Sequence, residues 1–310
     1  MKAFQQILAA ATATGARGHP WCLATLVHRE GSSYRLPGAR LLVHPDGGTL
    51  GVLSGGCLEE EIGKRGREVM DNNEPQLLFF DTRKLFGCDG RLSVYLENIP
   101  AAGEAGNFLT EIAARISRRS LCRVSVPYAD RRPSTVLPDK ALVVEREGTF
   151  VQTLSLPPRL LVFGNGPEIG PLKAFGRGLG WEIIQHHHPD GLPLDFTADS
   201  ATAAVVMTHQ FGRDLAALDR LLPLGLPYLG LLGPKRRHAE LLRRFTEFRE
   251  LQPEWLETLH APAGLDIGSE APEEIAFSII GEAAAVLAHR RGGFLREAAG
   301  TIHRLEEARA

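Results

Sequence analysis

The chain has 310 residues, of which 44% are hydrophobic and 23% are charged, and its formal net charge at pH 7 is -2. This length predicts about two domains, and the small charge argues against a general nucleic-acid or membrane-surface binder. No apolar run approaches the ~18 residues of a membrane span, and the first residues lack a signal-peptide pattern. We therefore expect a cytoplasmic protein that has no membrane span and does not bind nucleic acid.

The first half of the chain predicts a domain of mixed strands and helices over residues 1–156. Apolar residues at helical spacing predict a helix over 2–14, and short apolar runs between turn residues predict strands. Two further helices are predicted, from Cys57 to about Met70 and over 103–118. A linker is predicted at Pro157-Pro158. The predicted strands span residues 21–28, 39–44, 49–53, 76–81, 92–96, 121–126, 141–145 and 150–154.

The second half, residues 157–310, has a different rhythm in which apolar strands alternate with amphipathic helices. This alternation predicts an α/β fold, with a Rossmann-like doubly wound parallel sheet that carries helices on both faces. The helix that follows the first strand of this half is predicted to end at Gly178. The other predicted elements are strands at 160–163, 182–186, 203–207 and 228–232 and helices at 211–221, 235–248 and 272–289.

A glycine-rich turn follows the first strand of the second half, where a dinucleotide-binding turn belongs. It runs from Gly164 to Gly170, and Gly164 and Gly166 are its candidate binding residues. The second strand ends in three histidines and offers no carboxylate for the ribose hydroxyls of NAD(P), apart from the distant Asp190. A nicotinamide-binding domain and a Rossmann fold without that cofactor therefore both stay open. His209, after the third strand, is either a packed turn residue or a binding residue.

A second glycine-rich turn, Ser54-Gly55-Gly56-Cys57, leads into a predicted helix. If Gly56 is the N-cap, Glu59 occupies the third helical position, where the helix dipole favours a carboxylate. Cys57 then lies in the first turn of the helix, a place that lowers the pKa of a thiol and attracts anions. The alternative is a small thiol that packs beneath the turn.

Four widely spaced cysteines predict neither a disulfide framework nor a zinc knuckle, and they lie at positions 22, 57, 88 and 122. Cys88 lies in a third glycine-rich loop, whereas Cys22 and Cys122 are predicted core residues. A loop between two strands has arginines expected to make few core contacts, and its candidate residues are Ser32, Ser33, Arg35 and Arg40. Together these loops predict a pocket for an anionic, sulfur-bearing ligand, because N–H groups and arginines suit phosphate and thiols suit a soft metal.

Several short motifs follow one another in order along nearly the whole chain. In the first half they are LATLV at 23–27, GSS at 31–33, PGAR at 37–40, SGGCLE at 54–59 and GCDGR at 87–91. In the second half they are LVFGNG at 161–166, VMTH at 206–209, YLGLLG at 228–233, HAPAGLDIG at 260–268 and PEEIA at 272–276. In these motifs the chain resembles the XdhC/CoxI family, the accessory proteins that mature molybdenum hydroxylases such as xanthine dehydrogenase.

The resemblance implies a non-catalytic chaperone that binds the molybdenum cofactor, molybdopterin, and protects it while its terminal sulfido ligand is installed. It also implies delivery to a molybdenum hydroxylase apoenzyme, a cysteine desulfurase as sulfur source, and a homodimer. Cys57 and Cys88 are the candidate ligands of the cofactor's molybdenum, although ligation, sulfur relay and packing stay open for both. The other candidate cofactor-binding residues are Ser32, Ser33, Arg35, Arg40, Gly55, Gly56, Glu59, Gly164, Gly166 and His209.

The alternative function is an NAD(P)-dependent oxidoreductase that uses the turn at Gly164. Two departures from the family pattern, Pro167-Glu168 in that turn and the histidines at 186–188, argue against a bound nucleotide. The thiol-bearing loops of the first half match the family pattern, and they favour the cofactor carrier.

Overall fold

The computed structural model describes residues 2–13, 20–31, 33–56, 58–81, 90–101, 104–141 and 146–297. Ser32, Cys57, the loop that carries Cys88 and most of the strand predicted at 141–145 lie outside these ranges. The chain divides into two compact units, Met1–Leu156 and Pro157–Ala310. Within the described ranges, no helix is both long and apolar enough to cross a membrane.

The first unit combines two antiparallel sheets with three described helices. Its elements are α1 (Lys2–Ala13), β1 (Trp21–Gly31), β2 (Arg40–Val43), β3 (Thr49–Gly51), α2 (Glu59–Asn72), β4 (Gln76–Asp81), β5 (Gly90–Ile99), α3 (Phe108–Ser117), β6 (Cys122–Val126), β7 (Thr135–Leu137) and β8 (Phe150–Leu154). The larger sheet has the strand order β3-β2-β1-β5-β4, and the smaller has the order β7-β6-β8.

Strand β1 is buried on both faces, because each face of the larger sheet supports a core of its own. Leu23 and Val27 face a core that includes Cys122 and residues of α1 and α3. Cys22 points to the other face, where it shares a core with Ile62 of α2. Successive side chains of a strand alternate between faces, which explains the nearly continuous apolar run. The prediction that Cys22 and Cys122 are core residues is confirmed.

The second unit is a three-layer α/β structure. Its elements are β9 (Arg159–Gly164), α4 (Ile169–Gly178), β10 (Glu182–His186), β11 (Thr202–Met207), α5 (Phe211–Leu221), β12 (Tyr228–Leu231), α6 (Lys235–Phe245), α7 (Pro253–Glu257), β13 (Leu259–His260) and α8 (Pro272–Leu287). The strands are parallel and have the order β10-β9-β11-β12-β13. This arrangement confirms the predicted doubly wound sheet.

The strand order reverses between β9 and β11, which makes this position the topological switch point of the sheet. Open parallel sheets bind their ligands at such a point, outside the carboxyl ends of the strands. Helices α5 and α6 pack on the face with Leu161 and Phe163, and α4 and α8 pack on the face with Leu160 and Val162. Strand β9 is therefore apolar on both sides, and its carboxyl end lies at the expected ligand position.

Some element boundaries differ from the sequence prediction. Helix α3 begins at Phe108 rather than at 103, because Asn107 caps it. The Asn107 Oδ1 accepts hydrogen bonds from Leu109 N at 3.1 Å and from Thr110 N at 3.2 Å. Strands β7 and β13, of three and two residues, are not predicted from the sequence, because neither lies in a longer apolar run.

Candidate functional site

The turn before α2 is closed by the side chain of Glu59, the first residue of that helix. Oε1 of Glu59 accepts hydrogen bonds from Leu53 N and Ser54 N, both at 2.9 Å. Oε2 accepts from the Ser54 hydroxyl at 2.6 Å, from Gly56 N at 3.0 Å and from Leu58 N at 3.1 Å. One carboxylate therefore gathers the N–H groups from both arms of the turn.

These contacts correct the predicted start of α2. The helix begins at Glu59 with Leu58 as its N-cap, and the Leu58 carbonyl accepts the first helical bond from Ile62 N at 2.9 Å. The predictions that Gly56 is the N-cap and that Glu59 is the third helical residue are therefore wrong. The physical reason is that the Glu59 carboxylate reaches back from the first helical position to N–H groups that lack helical partners. Cys57 thus precedes the N-cap in the chain.

The carboxyl pKa of Glu59 is lowered to about 2. Partial burial raises this pKa, but hydrogen bonds from the Ser54 hydroxyl, Ser54 N and Leu53 N stabilise the charged form and outweigh burial. The N–H groups expected to hold an anionic ligand are thus occupied by an anion that the chain itself supplies. Glu59 shapes the turn.

Gly55 and Gly56 form the exposed tip of this turn. Their φ angles are 79° and 113°, in the region that favours glycine. A Cβ on either residue would meet no described atom within 4 Å. The backbone conformation, rather than a lack of space, therefore requires glycine at both positions.

The two arginines predicted to line a binding loop lie in different surroundings. Arg35 is exposed in the loop between β1 and β2, and Ser33 Oγ donates to its carbonyl at 2.5 Å. Arg40 is the first residue of β2 and is only 5% exposed. Its Nη1 donates to Gly38 O at 3.0 Å and to Gln152 Oε1 at 2.7 Å. The expectation that Arg40 makes few core contacts is wrong, because its side chain ties β2 to β8 of the smaller sheet.

Glu97 of β5, which the sequence analysis does not single out, is buried in the same unit and is 1% exposed. Its Oε2 accepts from Ser134 N at 2.7 Å, and its Oε1 accepts from Ser134 Oγ at 2.5 Å. Burial raises the pKa of Glu97 to about 7, against the Ser134 hydrogen bonds and the attraction of Arg40. Burial also lowers the pKa of Arg40 to about 10, against the attraction of Glu97. A lone carboxylate in an apolar strand is the sequence signal that marks this residue.

At the switch point of the second unit, the backbones of β9 and β11 approach closely through glycine. Gly164 pairs with Met207 of β11, and a Cβ on Gly164 would lie 2.3 Å from the Met207 carbonyl oxygen. A Cβ on Gly166 would lie 2.3 Å from Glu168 Oε2 and 2.8 Å from His209 Nε2. The structure therefore brings the predicted residues Gly166 and His209 together and adds Glu168 to them.

Glu168 and His209 face each other at this turn, with Glu168 Oε2 3.5 Å from His209 Nε2. Glu168 is buried, whereas about half of the His209 side chain is exposed. His209 has a φ angle of 57°, which is uncommon for a residue other than glycine. Thr208 holds this conformation, because its hydroxyl donates to Asp214 Oδ1 at 2.5 Å and accepts from Gln210 N at 3.1 Å. The backbone of His209 is therefore held by its neighbours, while its imidazole is about half exposed.

The three histidines after β10 have different surroundings. Burial lowers the pKa of His186, His187 Nδ1 lies 2.9 Å from Asn165 Oδ1, and His188 Nδ1 lies 2.9 Å from Asp190 Oδ2. The carboxylate of Asp190, the distant candidate for a ribose contact, thus lies beside His188 and is largely exposed. The three imidazoles do not share one partner.

Two family models match the chain, one within each unit. The model described as the XdhC and CoxI family matches residues 15–81, and the model described as the XdhC Rossmann domain matches residues 160–283. The first match contains the turn closed by Glu59 and the loop that carries Arg35. The second contains Gly164, Gly166 and His209. With the exception of Cys88, all the candidate residues therefore lie within the matched ranges.

Two named relatives agree with these matches, and so does one solved structure. The chain is 28% identical over 308 residues to a Bacillus subtilis protein named as a probable subunit of xanthine dehydrogenase, in an alignment that covers 84% of this chain and 91% of that protein. It is 25% identical over 278 residues to the molybdenum cofactor insertion chaperone PaoD of Escherichia coli, with 86% and 84% covered. The crystal structure of a xanthine dehydrogenase from Bacillus halodurans matches with a TM-score of 0.76 at 25% identity, and the match covers 94% of this chain and 97% of that chain.

Proposed function

This chain belongs to the XdhC and CoxI family, and on that premise we propose that it binds the molybdenum cofactor, protects it during sulfuration and delivers it to a molybdenum hydroxylase of the xanthine dehydrogenase type. The observation that carries the proposal is that the family matches contain the candidate residues of both units, apart from Cys88. The name of the relative PaoD, a molybdenum cofactor insertion chaperone, supports a carrier rather than an enzyme.

The turn before α2 suits the metal end of such a cofactor. Glu59 binds the N–H groups of Gly56 and Leu58, the two neighbours of Cys57 in the chain. Thiolates both ligate soft metals and carry sulfur as persulfides. We therefore assign Cys57 to the molybdenum or its sulfur, with Cys88 as the second candidate thiol.

The loop before β2 suits the phosphate end of the cofactor. Arg35 is exposed there, and the Ser33 hydroxyl restrains its backbone. A guanidinium is a strong, directional partner for phosphate, and the hydroxyls of Ser32 and Ser33 can add hydrogen bonds. Arg40 acts indirectly in this proposal, because its bond to Gly38 O holds the end of the loop.

The proposed partners are a molybdenum hydroxylase apoenzyme as recipient, a cysteine desulfurase as sulfur source, and a second copy of this chain. Capture of the tagged protein from cells, with analysis of the proteins and the cofactor in the eluate, tests each partner. A carrier is expected to retain both a pterin and molybdenum. A purified protein that contains neither, from cells that make the cofactor, would contradict the proposed function.

The role of Cys57 is tested by hydroxylase activity in a strain that lacks the wild-type protein. Cys57→Ser keeps the size of the side chain but removes a metal ligand and a persulfide carrier, so we expect a sharp loss of restored activity without a loss of stability. Cys22→Ser is the matched control, because Cys22 is fully buried and its replacement should cost stability but leave cofactor handling intact. Full restoration by Cys57→Ser would leave Cys57 as a packing residue.

A further inference from the structure

The carboxylate of Glu168 is buried without a full set of partners. Glu168 is 6% exposed, and its Oε2 has no hydrogen-bond partner within the described part of the chain. A buried acceptor without a donor is costly, and buried polar groups in native proteins are nearly always satisfied. An unsatisfied carboxylate at the switch point of a doubly wound sheet is therefore a candidate for completion by a ligand.

The buried Oε2 of Glu168 lies beside the backbone of the turn and beside His209. The atoms nearest to a Cβ built on Gly166 are Glu168 Oε2 and His209 Nε2, so any larger residue would push into both. His209 is held at a positive φ angle through Thr208, whose hydroxyl is bonded to the buried Asp214. Backbone strain that its surroundings maintain in this way is concentrated at binding sites.

The charges at this turn oppose a phosphate. Glu168 is the N-cap residue of α4, and although its side chain makes no capping hydrogen bond, its negative charge beside the helix start disfavours a second anion there. Two cations on neighbouring helices are engaged. Lys173 Nζ of α4 donates to Gln185 Oε1 at 2.5 Å, and Arg237 of α6 is ion-paired with Asp214. The turn therefore offers an acceptor, and its ligand must bring the donors.

We infer that Glu168 and His209 bind the edge of a 2-amino-4-oxopyrimidine ring, on which a ring N–H and an exocyclic amino group point the same way. The two oxygens of a carboxylate match such a pair of donors. His209 Nε2, 3.5 Å from Glu168 Oε2, is the second polar group beside the ring. Pterins and guanine nucleosides share this edge. The choice of a pterin as first probe rests on the proposed function, because the molybdenum cofactor contains one.

The test is a titration of the full-length protein with 6-hydroxymethylpterin, with guanosine and with adenosine, which lacks the paired donors. We expect binding of the pterin, and adenosine at least about tenfold weaker. Glu168→Gln replaces one acceptor with a donor and should weaken pterin binding by about tenfold or more. Glu254→Gln makes the same change at an exposed carboxylate of α7 and should leave binding unchanged.

Titration with guanosine shows whether the site recognises the edge that pterins and guanine nucleosides share, or a pterin alone. Binding of guanosine as tight as that of the pterin identifies recognition of the shared edge, and binding of the pterin alone identifies a pterin site. Equal affinity of wild type and Glu168→Gln for the pterin, or a preference for adenosine, would overturn the inference. If Glu168→Gln fails to fold, His209→Asn serves as the second variant, because asparagine tolerates a positive φ angle. It should also weaken pterin binding, and wild-type affinity in that variant counts against the site.

The outcome is separable from that of the proposed function. A purified protein that retains the molybdenum cofactor but shows no response to 6-hydroxymethylpterin contradicts this inference alone. A protein that binds the pterin through Glu168 but never retains molybdenum or delivers cofactor contradicts the proposed function alone.

Discussion

At the turn before α2, the carboxylate of Glu59 fills the position that a bound anion takes at many helix starts. It accepts hydrogen bonds from Leu53 and Ser54 on one arm and from Gly56 and Leu58 on the other. Its loss would loosen both arms at once. The residue is thus important to the turn without being required to touch a ligand.

Glu59→Gln should destabilise the first unit by about 1–2 kcal/mol at neutral pH, because charge-assisted bonds become neutral and the side chain is partly in solvent. The pKa of Glu59 is depressed from an ordinary 4.5 to about 2. Its contribution is therefore complete above pH 4.5 and is lost as the pH falls toward 2. Urea unfolding of both proteins across this range measures the effect. A difference in stability that does not change with pH would contradict it.

Arg40→Ala should cost about 2–4 kcal/mol of stability, because it removes a buried cation that is bonded to Gly38 and Gln152 and that faces Glu97. Arg35→Ala alters an exposed side chain and should change stability by no more than ~0.5 kcal/mol. It should nevertheless lower the cofactor content of the purified protein. Denaturant midpoints and cofactor assays of the two variants check this contrast. Equal midpoints, or full cofactor content in Arg35→Ala, would count against it.

Cys57 is expected to react fastest of the four cysteines with an alkylating agent at neutral pH, because it follows two exposed glycines in the chain whereas Cys22 and Cys122 are buried. Cys22 and Cys122 are 0% and 1% exposed, and burial raises the pKa of both thiols. Mass spectrometry of peptides after brief alkylation ranks the four. Faster modification of Cys88 would transfer the proposed role to that residue.

At the scale of elements, a sustained apolar period can be predicted from the sequence, whereas the ends of elements cannot. The predicted helix at 211–221 coincides with α5, because one buried stripe repeats along its length. The starts of α2 and α3 are each set by one side chain: Glu59 reaches back to N–H groups that precede α2, and Asn107 reaches forward to N–H groups in the first turn of α3. Such contacts depend on a single rotamer and leave no periodic trace in the sequence.

In the candidate site, too, some features can be predicted from the sequence and others cannot. Glycines at strand ends and a histidine after a strand can be found from sequence, because turns at the carboxyl end of a parallel sheet are where ligands bind. The burial of Arg40 and the pairing of Glu168 with His209 depend on how strands and sheets pack. These contacts join residues that are distant in sequence, so they cannot be predicted from a local sequence pattern.

The turn after β9 should bind NADH weakly or not at all. Glu168 is the residue at the start of α4, where its negative charge would repel a pyrophosphate, and β10 ends in histidines rather than in a carboxylate that could bind a ribose. Each missing charge-assisted bond costs about 1.5–3 kcal/mol, or roughly one to two decades of affinity. Titration calorimetry measures this directly. A dissociation constant in the low micromolar range would revive the alternative of an NAD(P)-dependent oxidoreductase.

At the scale of the whole molecule, each unit has hydrophobic clusters made of its own residues. We therefore expect the units to unfold in separate steps, so that no single free energy of unfolding describes the chain. In calorimetry, Glu59→Gln should lower the temperature of one step and leave the other in place. A single transition that shifts as a whole in this variant would show that the units unfold together.

The turn closed by Glu59 also determines how the protein responds to the salts around it. A tethered carboxylate competes with dissolved anions at an effective concentration on the order of millimolar or more, and its low pKa keeps it charged. Phosphate or sulfate can enter the turn only by displacing a group that cannot diffuse away. Negative charge alone therefore gives a dissolved ligand no advantage at this turn.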